Sequence, residues 1–237
     1  MIVMSLDNPH RDAEELGKDK HKINNKLEDL LSKFCEFSSE IHKKIQEGDI
    51  NPLDSIDLIY RMIYENLDVN NYTLSDIEKF ARYKPLYMKF ENDIKNNPVV
   101  EYSGGKIDNN ELAKSLIGFF ISAIINKKKW REKIHINSPI PINNLFYKSK
   151  GIIGYVNKAG YFLGWYAEYS KIYAGEAGDY AGAEMDGSEL HVIKAGRHLG
   201  KYAKNSIIYY LIAADEGTSG SSLGDYTENT IYYKGWV

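Results

Sequence analysis

NKAGYFLGWYA (157–167), GEAGDYAGAEM (175–185) and IKAGRHLGKYA (193–203) are one phrase written three times at a step of eighteen residues. At that step Tyr155, Tyr173, His191 and Tyr209 share one position, and Gly164, Gly182 and Gly200 a second. The pairs Ala159-Gly160, Ala177-Gly178 and Ala195-Gly196 share a third. A fourth unit carries a longer turn, ADEGTSGSS (214–222), and re-enters register six residues late: Leu223-Gly224-Asp225-Tyr226 answers Leu199-Gly200-Lys201-Tyr202. So short a unit cannot bury a face alone, and the copies must pack on one another to share a core.

Each unit reads as a β-hairpin. The first strand (IGYVN, IYAG, LHVI, IIYYL) alternates β-branched and aromatic residues. The glycine of the Ala-Gly pair is expected to supply the positive φ of a tight turn. A second short strand is expected to be interrupted by the other repeated glycine, where a side chain would meet a neighbouring backbone. Four hairpins around a pseudo-fourfold axis follow, with IYYKGWV (231–237) pairing back to close the ring and remove an exposed edge. Charges fall into the same register. Glu176 stands opposite Lys158 and Lys194, Asp179 opposite Arg197, Asp186 opposite Lys204, and Lys201 and Lys204 opposite Asp225 and Glu228. Opposite signs at matching sites of neighbouring units favour that order by a few tenths of a kcal/mol each.

Units of the form I-Y-x-x-x-G-x-x-[LA]-G-x-Y, four to a domain, resemble the bacterial four-fold beta flower domain. The similarity covers about residues 150–237 and is strongest in GYFLGWY and GRHLGKY. It implies pseudo-fourfold hairpins and no established chemistry. GYVNKAG is also similar to WG-type repeats, and the aromatic-glycine pattern to choline-binding repeats, though both fit the period less well.

Upstream the periodicity is helical, from about residue 11 to 135. Ile23, Leu27, Leu30, Phe34, Phe37, Ile41 and Ile45 mark one apolar stripe. EGDINP (47–52) ends it, with Asn51 as cap and Pro52 at the first position of the next helix. Leu53, Ile56, Ile59, Ile63 and Leu67 carry the second stripe. Thr73 and Asp76 form a capping-box-like start to a third, which contains Ile77 and Phe80. SGG (103–105) leads into a fourth helix over 109–133, whose LIGFFISAII (116–125) is apolar nearly all round, as a helix surrounded by others requires. SPIPINN (138–144) reads as a connector. The fold class expected is α+β: a helical domain over 1–137, a linker over 138–150, and a β-repeat domain over 151–237.

Across 237 residues the net charge is −3, which argues against a nucleic-acid binder that works through a strong basic field. The single cysteine, Cys35, permits no internal disulfide and lies in an apolar stripe, as an inert buried thiol would. The polar N-terminus has no signal-peptide apolar region, and the longest apolar run is ten residues, about half a membrane span. A cytoplasmic protein is expected, with neither nucleic acid nor membrane as partner.

Motifs of strong chemical specificity do not occur: no phosphate loop, no G-x-G-x-x-G between strand and helix, no HExxH, no G-x-S-x-G. GTSGSSLG (217–224) has phosphate-loop composition without its lysine and helix. His191 and His198 would need a third ligand to hold a metal, so no metal and no cofactor are expected. Arg131 and His135 resemble the Arg-x-x-x-x-His pair of HEPN ribonucleases, one residue too short. On a helix they would share a face. The candidate site is instead the ring of Tyr155, Tyr173, His191 and Tyr209, with a second ring of Tyr166, Glu184, Tyr202 and Tyr226, and with Arg197 nearby. Aromatic bodies with polar tips suit a planar, sugar-like or nucleotide-like ligand.

The expected function is non-enzymatic recognition. The β-repeats bind a small molecule, glycan or peptide, and the helices mediate oligomerisation or signalling, including a homo-oligomer through the first helix, whose stripe has near-heptad spacing. The alternatives are an RNase-type effector acting near Arg131 and His135, and a membrane-acting effector using helix 109–133.

Overall fold

The computed structural model describes residues 25–53, 55–96, 98–102, 105–130, 132–214, 223–224 and 226–235. Helices come first: α1 (Asn25–Glu47), α2 (Ile56–Asn66), α3 (Leu74–Arg82), α4 (Lys84–Asn96) and α5 (Asn109–Lys128). An antiparallel pair, β1 (Val99–Tyr102) and β2 (Gly105–Asp108), precedes α5 where the SGG loop was expected. The Thr73–Asp76 capping box forms, with Thr73 Oγ1 accepting from the Asp76 N–H. Asn51 caps a turn before α2, taking the Leu53 N–H at 3.0 Å, while the helix itself starts behind Ser55. The α1 stripe, Leu27, Leu30, Leu31, Phe34, Ile41 and Ile45, is buried in the chain's own core. Around α5 every position from Leu116 to Ile125 is buried, so its apolar circumference is matched by neighbours on all sides.

The eighteen-residue repeat is a parallel β-solenoid of about four turns, and this corrects the hairpin reading. Each unit contributes one strand: β4 (Ile153–Lys158), β5 (Lys171–Ala177), β6 (Glu189–Ala195) and β7 (Ile207–Ala213), with β3 (Lys133–Ile136) before them and β8 (Ile231–Lys234) after. The sheet order is β3-β4-β5-β6-β7-β8, all parallel, so among the described residues β8 pairs with β7 alone and closes no ring. The physical reason lies outside the strands. Residues 178–188 and their equivalents are not a second strand but a chain of tight corners, where Tyr180, Gly182 and Glu184 take φ of 62°, 67° and 52°. Left-handed corners at alternate residues turn the chain back on itself, and the partner of each strand becomes the next copy of itself. The sheet also reaches upstream of residue 151. Ile142 bridges to Ala159 and Lys150 to Glu168, so residues 138–150, expected as a linker, lie in the first coil, where Leu145 and Phe146 are fully buried.

The two repeated glycines exchange the roles expected of them. Gly178, of the Ala-Gly pair, has no left-handed backbone, but a Cβ there would lie 2.8 Å from the backbone of Gly160 in the preceding coil. Gly164, Gly182 and Gly200 carry the positive φ, and their missing side chains leave room for Ile172, Leu190 and Ile208 inside the coil.

A row of serines runs through the interior. Ser170, Ser188 and Ser206 recur at the same step, each buried. The Ser170 N–H donates to Ser188 Oγ at 3.1 Å, and the Ser188 N–H to Ser206 Oγ at 3.2 Å. The Ser188 hydroxyl in turn faces the Ala167 and Asp186 carbonyls, both at 3.1 Å. These bonds satisfy backbone groups at the corner where the sheet ladder is interrupted. Ser188→Ala therefore leaves buried polar groups unpaired and is expected to destabilise the fold by about 1–3 kcal/mol. Chemical denaturation measures this; an unchanged midpoint would count against the ladder.

Candidate functional site

Strand side chains alternate between the coil interior and its surface. Ile172, Leu190 and Ile208 point inward and are buried, so Tyr173, His191 and Tyr209 point out. Because the pairing is parallel and in register, these rings do not surround an axis, as the ring expectation had it. They form a line along one face: His135, Tyr155, Tyr173, His191, Tyr209 and Tyr233, each stacked on the next with ring centroids 4.6, 4.8, 4.5, 4.3 and 5.1 Å apart. Planes of neighbouring rings lie within 6–19° of parallel.

Helix α3 borders one flank of this ladder. Glu78 Oε1 accepts the backbone N–H of His135 at 3.2 Å, and Arg82 is held over the same turn through the Glu78 carbonyl at 3.2 Å. Between helix and ladder runs a groove of about 600 Å³, lined by Glu78, Arg82, Tyr155, Tyr173, His191 and Ile193 among others. Of the sequence candidates, Tyr155, Tyr173 and His191 meet here. Tyr209 belongs to the ladder but does not line the groove. Tyr166 and Tyr202 line a separate cavity of about 870 Å³ on the turn side of the coil, and Tyr226 stacks on Tyr202 at 5.3 Å. Arg197 is paired with Asp179 at 2.8 Å, as the charge register predicts, and lines neither cavity. Lys158–Glu176 at 3.9 Å and Lys204–Glu228 at 3.8 Å follow the same register. Asp186 stands opposite Lys204 in a parallel bridge, as expected, and its carboxylate accepts from Asn205 Nδ2 at 2.9 Å.

The sequence reading does not place His135 or Tyr233 in the ladder, nor Glu78 and Arg82 beside it. His135 and Tyr233 sit twenty and twenty-four residues from their ladder neighbours, outside the step of eighteen, and no local pattern connects α3 to the sheet. His191 and His198 join different stacks, His198 lying on Tyr180 at 4.6 Å. Among the described residues no group of three His, Cys, Asp or Glu is placed to hold a metal. Arg131 lies outside the described residues. His135 is in β3, since α5 ends at Lys128, so the shared helical face expected for that pair does not form. No helix among the described residues is long and apolar enough to cross a membrane.

Beneath the ladder, Lys171 Nζ and His191 Nε2 donate to Glu189 at 2.7 and 2.5 Å. Burial pushes the Glu189 carboxyl up, but these two partners outweigh it and hold the group below its ordinary value. Burial, and then the nearby Glu189 charge, raise the Tyr173 phenol. The rings meet the groove with their hydroxyl and imidazole edges, and the arrangement offers contact and hydrogen bonding. No family model, curated protein or solved structure matches the chain, so the beta flower resemblance rests on the repeat phrases alone.

A carboxylate whose folded-state pKa is depressed adds stability above its unfolded pKa, and loses it as pH falls through the folded value. Glu189 should therefore contribute to stability above about pH 4.5 and progressively less below. Unfolding midpoints from pH 7 down to 3 should fall less steeply for Glu189→Gln than for the parent chain. Parallel curves would remove Glu189 from the pH dependence.

Proposed function

We propose that the protein is a non-enzymatic recognition module whose solenoid face binds a small molecule, glycan or peptide in the groove between α3 and the aromatic ladder. The single observation behind this reading is the groove itself: about 600 Å³, bordered by Tyr155, Tyr173 and His191 on one side and by Glu78 and Arg82 on the other. That volume lies within the range of small-molecule sites, which combine an apolar lining with a few convergent polar groups. Ala174, Gly175 and Ile193 supply the apolar part. The helices hold α3 in place, because one continuous core joins them to the first coil. Oligomerisation or signalling through the helical part is the companion proposal.

Native mass spectrometry of the protein purified gently from cells tests this. A co-purifying mass should be present on the parent chain, lost on Tyr173→Ala, which removes a groove wall, and kept on Tyr209→Ala, which removes a ladder ring outside the groove. A bound mass that survives both substitutions would place the site elsewhere. Loss in both would trace the effect to the ladder's integrity instead of the groove.

A further inference from the structure

The groove beside α3 differs chemically at its two ends. Stacking is closed to a ligand there, because Tyr173 already has Tyr155 at 4.8 Å on one face and His191 at 4.5 Å on the other. Acceptors in the lining are engaged. Glu78 Oε1 takes the His135 N–H at 3.2 Å, and the Asn157 amide accepts the Ser138 N–H and donates to the Ser138 carbonyl, both at 3.0 Å. Donors are left over. Arg82 uses Nε on the Glu78 carbonyl, and its Nη2 stands 3.9 Å from Glu78 Oε2, beyond hydrogen-bond reach. Among the described residues the Tyr155 and Tyr173 hydroxyls have no hydrogen-bond partner. A guanidinium fork and two phenols call for a ligand that supplies acceptors, and the fork matches the two oxygens of a carboxylate. Glu78 offsets part of the Arg82 charge, so the selection comes from hydrogen bonds at short range.

The far end is apolar. The lining runs from β3 to β6 and ends at Ile193, whose side chain is exposed. Asn157, Gly175, Ile193 and Leu211 hold one position on successive rungs, since the residues on either side of them pair in register. Gly175 is bare because a Cβ there would lie 2.6 Å from the Asn157 carbonyl oxygen, and this leaves the groove floor open. Leu211 continues the line past the groove and is exposed as well. In the adjoining row the alternating charges of Lys158, Glu176 and Lys194 give way to Ile212, another exposed side chain. Two rungs, about 10 Å, separate Gly175 from Leu211. Exposed apolar side chains that adjoin one another and open onto a groove mark an interaction site, whereas scattered ones do not. We infer that the groove binds an unbranched aliphatic carboxylate. Its head lies on Arg82 beside the Tyr155 and Tyr173 hydroxyls, and its chain runs over Gly175 and Ile193 towards Leu211 and Ile212. The inference rests on the groove reading and narrows its ligand to an acyl-chain acid.

Isothermal titration calorimetry of the full chain at neutral pH compares hexanoate, octanoate, octan-1-ol and octyltrimethylammonium. Octanoate should bind saturably and about tenfold more tightly than hexanoate, through two further methylenes on the apolar strip. Octan-1-ol and octyltrimethylammonium, which keep the chain and lose the carboxylate, should each bind about tenfold more weakly than octanoate or worse. Arg82→Gln should weaken octanoate about tenfold and leave octan-1-ol unchanged. Leu211→Thr, a strand-compatible change at an exposed position outside the groove, should weaken octanoate more than hexanoate. The inference is overturned if octanoate does not bind, if the alcohol or the ammonium binds as tightly, if affinity does not rise with chain length, or if Arg82→Gln and Leu211→Thr both bind octanoate as the parent chain does. A co-purifying mass that depends on Tyr173, on a chain that does not bind octanoate, overturns the carboxylate inference and leaves the groove reading standing. Neither a co-purifying mass nor bound octanoate overturns both.

Discussion

In-register parallel pairing governs the C-terminal half of this chain. Each residue of a coil meets its equivalent one rung away, about 4.8 Å distant, so a residue type is acceptable only if it tolerates its own neighbour in the row. Serine does, because its hydroxyl both accepts from and donates to the preceding coil, as that of Ser188 does with the Ser170 N–H and the Ala167 carbonyl. Flat rings do by stacking. Glycine over glycine does, since Gly178 rests on the backbone of Gly160 with no space for a methyl group. A charge does not, and the rows alternate sign at Lys158–Glu176 and Lys171–Glu189. The repeat is the record of this requirement.

A stack of parallel strands has two edges, and an exposed edge invites further pairing. The helical part covers the first. Glu78 takes the His135 N–H of β3, and α5 meets the first coil so closely at Gly118 that a Cβ there would lie 1.7 Å from the Asn143 carbonyl oxygen. Ser122 adds a hydrogen bond to the Asn144 carbonyl at 3.1 Å, and Tyr147 packs edge-on against Tyr60 and Phe119. The contact that caps the sheet is also the one that brings Arg82 and Glu78 beside the ladder, so the groove is a by-product of protecting an edge.

The sequence carries the period, the α+β division, the opposed charges and the inward and outward faces, because these are properties of rows. It does not carry the direction in which neighbouring strands run. An alternating strand followed by glycine has the same pattern whether it pairs with a second strand of its own unit or with the next copy of itself. What separates the two is the backbone of residues such as Tyr180 and Glu184, whose left-handed φ angles no residue type announces. Tyr155, Tyr173 and His191 were legible as one outward row from their spacing. Glu78 and Arg82 were not, since they reach the ladder only through tertiary packing of α3.

The direction of pairing also decides what the aromatic residues can do. In a ring around an axis, the faces of four aromatic side chains would be available to a guest. In a ladder each interior ring already has a neighbour on both faces, as His191 has Tyr173 at 4.5 Å and Tyr209 at 4.3 Å. What remains for a ligand is the ring edge, with its hydroxyl or ring nitrogen, and affinity along the strand face must come from hydrogen bonds and from the apolar floor at Ala174 and Ile193.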